Sequence, residues 1–190
     1  MISNSVKQQN GFTIIEVSIV IALFTILLLG LLSIFDWQNK IYNFEQAEVQ
    51  ATGSARTAMN SLTFTLAQGI RLESSRTING TNYTTGGGSV VVQLPAYSSS
   101  GDLIPSVYDY VAYYSTGTNL YQITEAGSGS ARPAGTKILS DKLNSFSLTY
   151  NNGDVTAASE VSVVVTTQAA YRGNQSVTST LQETIFLRNK

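Results

Sequence analysis

The sequence predicts an α+β fold in which a long N-terminal helix packs on a mainly antiparallel β-sheet. An apolar run from Ile14 to Phe35 is interrupted by one ionisable side chain, Glu16. Behind it Trp37, Ile41, Phe44, Ala51, Ala55, Ala58, Leu62, Leu66 and Ile70 recur mostly at steps of three and four. Glu45, Glu48, Gln50, Arg56 and Asn60 stand between them, which is the 3.6-residue period of an amphipathic helix. The rest of the chain breaks into short β-branched and aromatic runs divided by polar turns.

The apolar run, IIEVSIVIALFTILLLGLLSIF, has 22 residues. As a helix it spans about 33 Å, enough to cross the roughly 30 Å hydrocarbon core of a bilayer. It exceeds the apolar stretch of about 7 to 15 residues in a secretory signal, and FDWQNKIYNF behind it offers no small-residue cleavage site. Lys7 and the initial amine are the only charges ahead of the span, whereas Asp36, Lys40, Glu45 and Glu48 follow it. That asymmetry keeps the leader cytoplasmic and the remainder outside. The predicted organisation is a leader over 1–11, a transmembrane half-helix over 12–35, an amphipathic half over 36–72, a loop over 73–89 and a β-sheet region over 90–190. One helix is expected from about Phe12 to Ile70. Gly30 and Gly53 each cost up to about 1 kcal/mol of helix propensity, so each marks a bend, a close contact or a tolerated residue.

A carboxylate inside an apolar helix costs roughly 2.5 to 3.5 kcal/mol at the bilayer centre and less near the interface. Glu16 therefore has two readings. It sits near the interface and snorkels or is protonated. Alternatively, cutting the chain after Gly11 supplies a partner, because the new amine on Phe12 lies one helical turn away.

Ser74 to Ser89, SSRTINGTNYTTGGGS, reads as a long loop by composition. Strand-like runs follow at Ser89–Leu94, Tyr108–Ser115, Leu120–Thr124, Leu143–Tyr150, Val161–Thr167 and Leu181–Leu187. Their connections are too short and polar for crossover helices, which makes the sheet antiparallel. Thr116-Gly117-Thr118-Asn119 predicts a tight hairpin, since Gly117 and Asn119 tolerate positive φ. Tyr108, Tyr110, Tyr113, Tyr114 and Tyr121 gather around it, either as a carbohydrate-binding platform or as ordinary strand packing. Asn151-Asn152-Gly153-Asp154 predicts a second hairpin. It lacks the further acidic ligands and closing Glu of a calcium loop, so it reads as turn chemistry.

Composition narrows the function. The 190 residues have a formal net charge of -1 and contain no His and no Cys. No disulfide framework is available, so the hydrophobic core must hold the fold. The commonest general base, zinc ligand and thiol nucleophile are missing, and the scattered carboxylates form no acid/base motif. The sequence reads as non-enzymatic, without catalytic or metal-ligating residues and without a cofactor. The net charge provides no basic footprint for nucleic acid.

The run Gly11-Phe12-Thr13-Ile14-Ile15-Glu16-Val17, placed after a short polar leader and ahead of the apolar span, resembles the signal of type IV pilins and pseudopilins. The resemblance implies a pilin-like fold and cleavage after Gly11 by a prepilin peptidase. It also implies N-methylation of Phe12 and a role for Glu16 in docking into a growing filament. The mature chain would keep 190 - 11 = 179 residues, with 11 - 1 = 10 basic and 12 acidic side chains. VAYYSTGTNLYQI, KILSDKLNSFSLTYNNG, EVSVVVTTQ and TLQETIFLRNK resemble in order the C-terminal halves of PilW-type minor pilins and J-type pseudopilins of type II secretion. The closing Phe186-Leu187-Arg188-Asn189 is part of that likeness. Glu16 departs from the K-type pseudopilin, and the absence of Cys departs from pilins with a disulfide-bounded loop.

The implied function is a minor pilin or pseudopilin that initiates or caps a type IV pilus or secretion pseudopilus. Its implied partners are prepilin peptidase, other major and minor pilins or pseudopilins, the inner-membrane assembly platform and membrane lipid. The implied location is the cytoplasmic membrane, crossed once, and then the filament. A competence-pilus subunit and a membrane-anchored binding module are the alternatives.

Overall fold

The computed structural model describes residues 11–187 and divides into two compact units, the first ending at Asn43 and the second beginning at Phe44. Lys7 with the rest of the leader through Asn10, and Arg188 with Asn189, lie outside the described residues. The helix α1 runs from Ile14 to Ala67, within the predicted limits at both ends. Its assignment is unbroken at Gly30 and Gly53, and a Cβ added at either would touch nothing, so neither glycine marks a close contact within this chain.

The buried stripe of α1 is Ala47, Ala51, Ala55, Ala58, Met59, Leu62 and Leu66. Trp37, Ile41 and Phe44, expected on that stripe, are exposed. The correction has a visible cause at Phe44, whose ring meets the edge of Tyr171 at 5.5 Å, where the cover from the sheet runs out. Four alanines let the helix backbone come close to the strands, and the larger Met59, Leu62 and Leu66 then fill the main core.

Ten strands follow among the described residues: β1 (Arg71–Glu73), β2 (Ser75–Ile78), β3 (Thr81–Thr84), β4 (Ser89–Tyr97), β5 (Leu103–Thr116), β6 (Asn119–Glu125), β7 (Gly135–Ser140), β8 (Leu143–Tyr150), β9 (Glu160–Arg172) and β10 (Gln175–Phe186). They form a five-stranded sheet in the order β1-β4-β5-β6-β7, a three-stranded sheet β10-β9-β8 and the pair β2-β3. Every pairing is antiparallel. The period-two rule sorts the side chains of β4 and β5. Val90, Val92, Leu94, Val111 and Tyr113 face the core that holds Leu62 and Leu66, while Val91 and Ala112 face the opposite side with Ile123 and Ile78.

Ile78 belongs to the segment expected to be a loop. That expectation is corrected: residues 75–84 form a hairpin that covers the second face of the five-stranded sheet. Its turn residues Asn79 and Gly80 both have positive φ, 49° and 80°, as a two-residue I′ connection requires. The hairpin at Gly117 is present, with Thr116 paired to Asn119 and Gly117 at φ 59°. Asn119 belongs to β6 and does not take positive φ.

The connection after Tyr150 is longer than a tight turn. Asp154 caps a short 3-10 helix, Val155–Ala157, by accepting from the Thr156 N–H at 2.9 Å. Asn151 Oδ1 accepts from the Ser159 N–H at 3.1 Å, so these polar side chains organise backbone.

Two features lock the second unit. The residue that follows α1 and its closing turn is Gly69, where a Cβ would lie 2.6 Å from Leu187 Cδ2, 2.7 Å from Val92 Cγ2 and 2.9 Å from the Leu66 carbonyl oxygen. Only a glycine lets the chain leave the helix this tightly, and Ile70 then donates to the Gln93 carbonyl at 2.9 Å to begin the sheet edge. The other feature is Asp109, buried on β5. Its Oδ1 accepts from the Gly127 N–H at 2.7 Å, and its Oδ2 accepts from Ser130 Oγ and Arg132 Nε, each at 2.9 Å. One carboxylate thus gathers three donors from the β6–β7 connection.

Gly69→Ala should lower the urea midpoint of the detergent-solubilised protein by the equivalent of about 1 to 3 kcal/mol through overpacking. Asp109→Ala should cost about 3 kcal/mol in the same assay, because it leaves Arg132 and two further donors without their buried acceptor. An unchanged midpoint for either variant would refute the corresponding lock.

Candidate functional site at the head of the apolar helix

Gly11, Phe12 and Thr13 precede α1 in non-helical conformation, and Phe12 is almost fully exposed. A Cβ at Gly11 would meet nothing, so the fold itself does not demand glycine there. The helix opens at Thr13, whose carbonyl accepts from the Val17 N–H at 3.2 Å. Thr13 Oγ1 accepts from the Glu16 N–H at 3.3 Å, and Glu16 Oε2 accepts in return from the Thr13 N–H at 2.9 Å and from Thr13 Oγ1 at 3.0 Å. This is a reciprocal capping box. Two donors that the first turn of any helix leaves open are satisfied by side chains three residues apart.

Glu16 therefore lies at the mouth of the helix, beside the segment where Phe12 enters it. The negative carboxylate also complements the positive end of the helix dipole. The spacing Thr13-Ile14-Ile15-Glu16 was visible as a capping signature, and attention to the carboxylate's cost alone passes over it.

Beyond the first turn the helix presents only apolar and hydroxyl side chains as far as Phe35. No residue from Gly11 to Gln46 is buried. The mean hydropathy of its best 18-residue window is 2.8, which makes α1 long and apolar enough to cross a membrane. The three Ser and Thr side chains between Val17 and Phe35 donate to carbonyls four residues back: Ser18 to Ile14 at 2.9 Å, Thr25 to Ile21 at 2.8 Å and Ser33 to Leu29 at 3.0 Å. No hydroxyl hydrogen in this stretch needs water.

Tyr110, Tyr113, Tyr114 and Tyr121 take packing roles, whereas Tyr108 is exposed. The ring of Tyr113 is buried against α1, and its hydroxyl donates toward Thr65 Oγ1 at 2.7 Å and the Ser61 carbonyl at 2.9 Å. Burial pushes its phenol up from the ordinary value, offset in part by the bonds to Ser61 and Thr65, so it stays a neutral donor. On the opposite face Tyr114 stacks on Tyr121 at 5.2 Å and tilts against Tyr83 of the covering hairpin at 4.9 Å. Arg76 lies 3.7 Å over the Tyr110 ring and pairs with Glu125 at 3.0 Å. These rings hold the hairpin onto the sheet.

The prokaryotic N-terminal methylation motif matches residues 6–32, which include Gly11, Phe12, the capping box and most of the apolar run. No curated protein and no solved structure matches the chain. The motif implies processing by prepilin peptidase and association with pilins. Its position at the head of an exposed apolar helix, on a chain whose later residues form an antiparallel α+β fold, makes residues 6–32 of this protein a type IV prepilin signal.

Proposed function

We propose that this protein is a minor pilin or pseudopilin that is cut after Gly11, methylated on Phe12 and built into a type IV pilus or type II secretion pseudopilus. One observation carries the reading: the prepilin signal heads a helix whose first residues, through Gln46, have no buried side chain, while Ala47 to Leu66 carry the core of an antiparallel fold. Such a helix needs an apolar surrounding that the described residues do not supply. Lipid provides it before assembly and the helices of other subunits provide it afterwards, and contacts of that head-to-tail kind propagate into helical polymers. Assembly in this reading involves prepilin peptidase, other pilins or pseudopilins and the inner-membrane platform. The initiating or capping role rests on the likeness of the last four runs to PilW-type and J-type proteins.

The capping geometry refines the role of Glu16. Its carboxylate already reaches the Thr13 N–H, so the amine created on Phe12 arrives one residue from a fixed negative charge. Before docking, Glu16 caps its own helix, and in a filament it pairs with a Phe12 amine, its own or a neighbour's.

Mass spectrometry of filaments sheared from the native host should find an N-methylated Phe12 terminus and a small fraction of this chain relative to the principal subunit. An intact Met1 terminus confined to the membrane fraction would instead establish an anchored binding module. Equal abundance with the principal subunit would remove the minor assignment. Glu16→Gln keeps a capping side chain and loses the charge, whereas Glu16→Ala loses both. If charge pairing drives docking, both variants should be cleaved normally and enter filaments at least about tenfold less than wild type. Normal incorporation of Glu16→Gln would restrict the residue to capping.

A further inference from the structure

We infer that a cavity on the helix-facing side of the five-stranded sheet, at its β6–β7 edge, is a binding site for a carboxylate. The cavity measures about 320 Å³ and is walled by β6, β7 and the end of the connection between them. Arg132 and Lys137 are its charged wall residues, and no acidic side chain lines it. Period-two alternation puts Leu120, Gln122 and Thr124 on one side of β6. Leu120 enters the main core, and Gln122 Oε1 accepts from Ser61 Oγ of α1 at 3.1 Å, so α1 packs on this side. Glu125, the next residue along, turns to the other side, where Arg76 pairs with it at 3.0 Å. Lys137 stands across the strands from Gln122, and Gly135 stands across from Thr124. Gly135 has φ 133°, which other residues rarely adopt, and its missing side chain leaves the space beside Thr124 open.

Four groups able to donate converge on that space. Thr124 is only 7% exposed, and its hydroxyl has no hydrogen-bond partner among the described residues. No side-chain oxygen or nitrogen that is sealed from solvent lacks a partner among those residues, so this hydroxyl opens into the cavity. Buried hydroxyls are ordinarily bonded, and one left open in a cavity wall marks where a polar group sits. Asp109 takes the Arg132 Nε hydrogen at 2.9 Å, and no described residue bonds the two Nη groups of that guanidinium. Lys137 has no ion pair among the described residues. Gln122 has its oxygen bonded to Ser61, which leaves its Nε2 hydrogens to donate. Charge then names the ligand. Two cations beside one buried carboxylate leave a single positive charge, which one further carboxylate neutralises and a phosphate dianion overshoots. A carboxylate is also the planar partner that a guanidinium edge binds through parallel hydrogen bonds. Pro133 and Ala134 give the wall an apolar stretch suited to the methylene stem that carries such a group.

The test follows backbone amide shifts by NMR in the isotope-labelled full chain, held in a non-ionic detergent. The chain is titrated with a peptide blocked at both ends that carries one central Glu, and in parallel with its Gln counterpart, acetate and phosphate. The Glu peptide should shift the Thr124, Gly135 and Lys137 amides saturably, with a Kd on the order of 1 mM or tighter that weakens as salt rises. Thr124→Val keeps the side-chain shape and removes a hydroxyl without a protein partner, and Lys137→Gln alters an exposed residue. Both variants should keep the wild-type urea midpoint and bind the peptide about fivefold more weakly. Tighter binding of the Glu peptide than of acetate assigns the acid to a partner protein, and the reverse assigns it to a free small acid. The inference is overturned if neither carboxylate shifts these amides or if the Gln peptide or phosphate shifts them equally. It is also overturned if either variant binds like wild type. The readout does not involve filament assembly, so its failure would leave the pilin reading untouched.

Discussion

The apolar first half of α1 finds no cover among the described residues, and the rest of the molecule is arranged around that constraint. Fully burying a single Leu, Ile or Phe side chain is favourable by about 1.5 to 3 kcal/mol, and the stretch from Phe12 to Phe35 exposes a long series of them. Water is therefore excluded as a resting environment for this half of the helix. The second half must do the opposite and form the centre of a folded unit. A single secondary-structure element serves both needs because its side-chain size changes along its length, from Leu, Ile and Phe to the alanine stripe at 47, 51, 55 and 58.

The alanine stripe in turn sets what the sheets must provide. Small side chains bring backbone close to backbone, and Thr167 donates from β9 to the Ala51 carbonyl at 2.7 Å, a contact that a larger residue at that level would hold apart. Further along, where Met59, Leu62 and Leu66 project, the strands answer with Val90, Val92 and Leu94. The five-stranded sheet is then apolar on its second face as well, and the β2-β3 hairpin with its tyrosines closes that face. Gly69 and Asp109 fix two points at which the chain would otherwise have freedom, the exit from the helix and the connection between β6 and β7.

Much of this was legible in the sequence because helix and strand impose different periods. The steps of three and four up to Leu66 and the Val-rich runs at 90–92 and 161–165 announce themselves. The β2-β3 hairpin did not, because only Ile78 and Tyr83 give it an apolar side, and its Asn79-Gly80 signal sits among residues whose composition suggests a loop. β9 runs past its predicted end and β10 starts before its predicted beginning for a related reason: the extensions pair Gln168, Ala169, Ala170 and Arg172 with Thr178, Val177, Ser176 and Gln175, too few large apolar residues for a hydrophobic pattern. Asp109 was out of reach for another reason. Its partners lie 18 to 23 residues further along the chain, beyond β6, and nothing local marks an aspartate destined for burial. At the candidate site the residues were legible from their motif, whereas the mutual bonds of Thr13 and Glu16 required coordinates.

The back-donation of Ser18, Thr25 and Ser33 has a consequence for how the helix changes surroundings. Because each hydroxyl hydrogen stays bonded within the helix, extraction from one apolar phase into another breaks no hydrogen bond anywhere between Val17 and Phe35. The enthalpic barrier to such a partition step is then set by dispersion contacts and by the carboxylate at the mouth alone. A segment built this way is nearly indifferent to which apolar phase surrounds it, free to exchange acyl chains for side chains at little intrinsic cost, with its directionality written at one end.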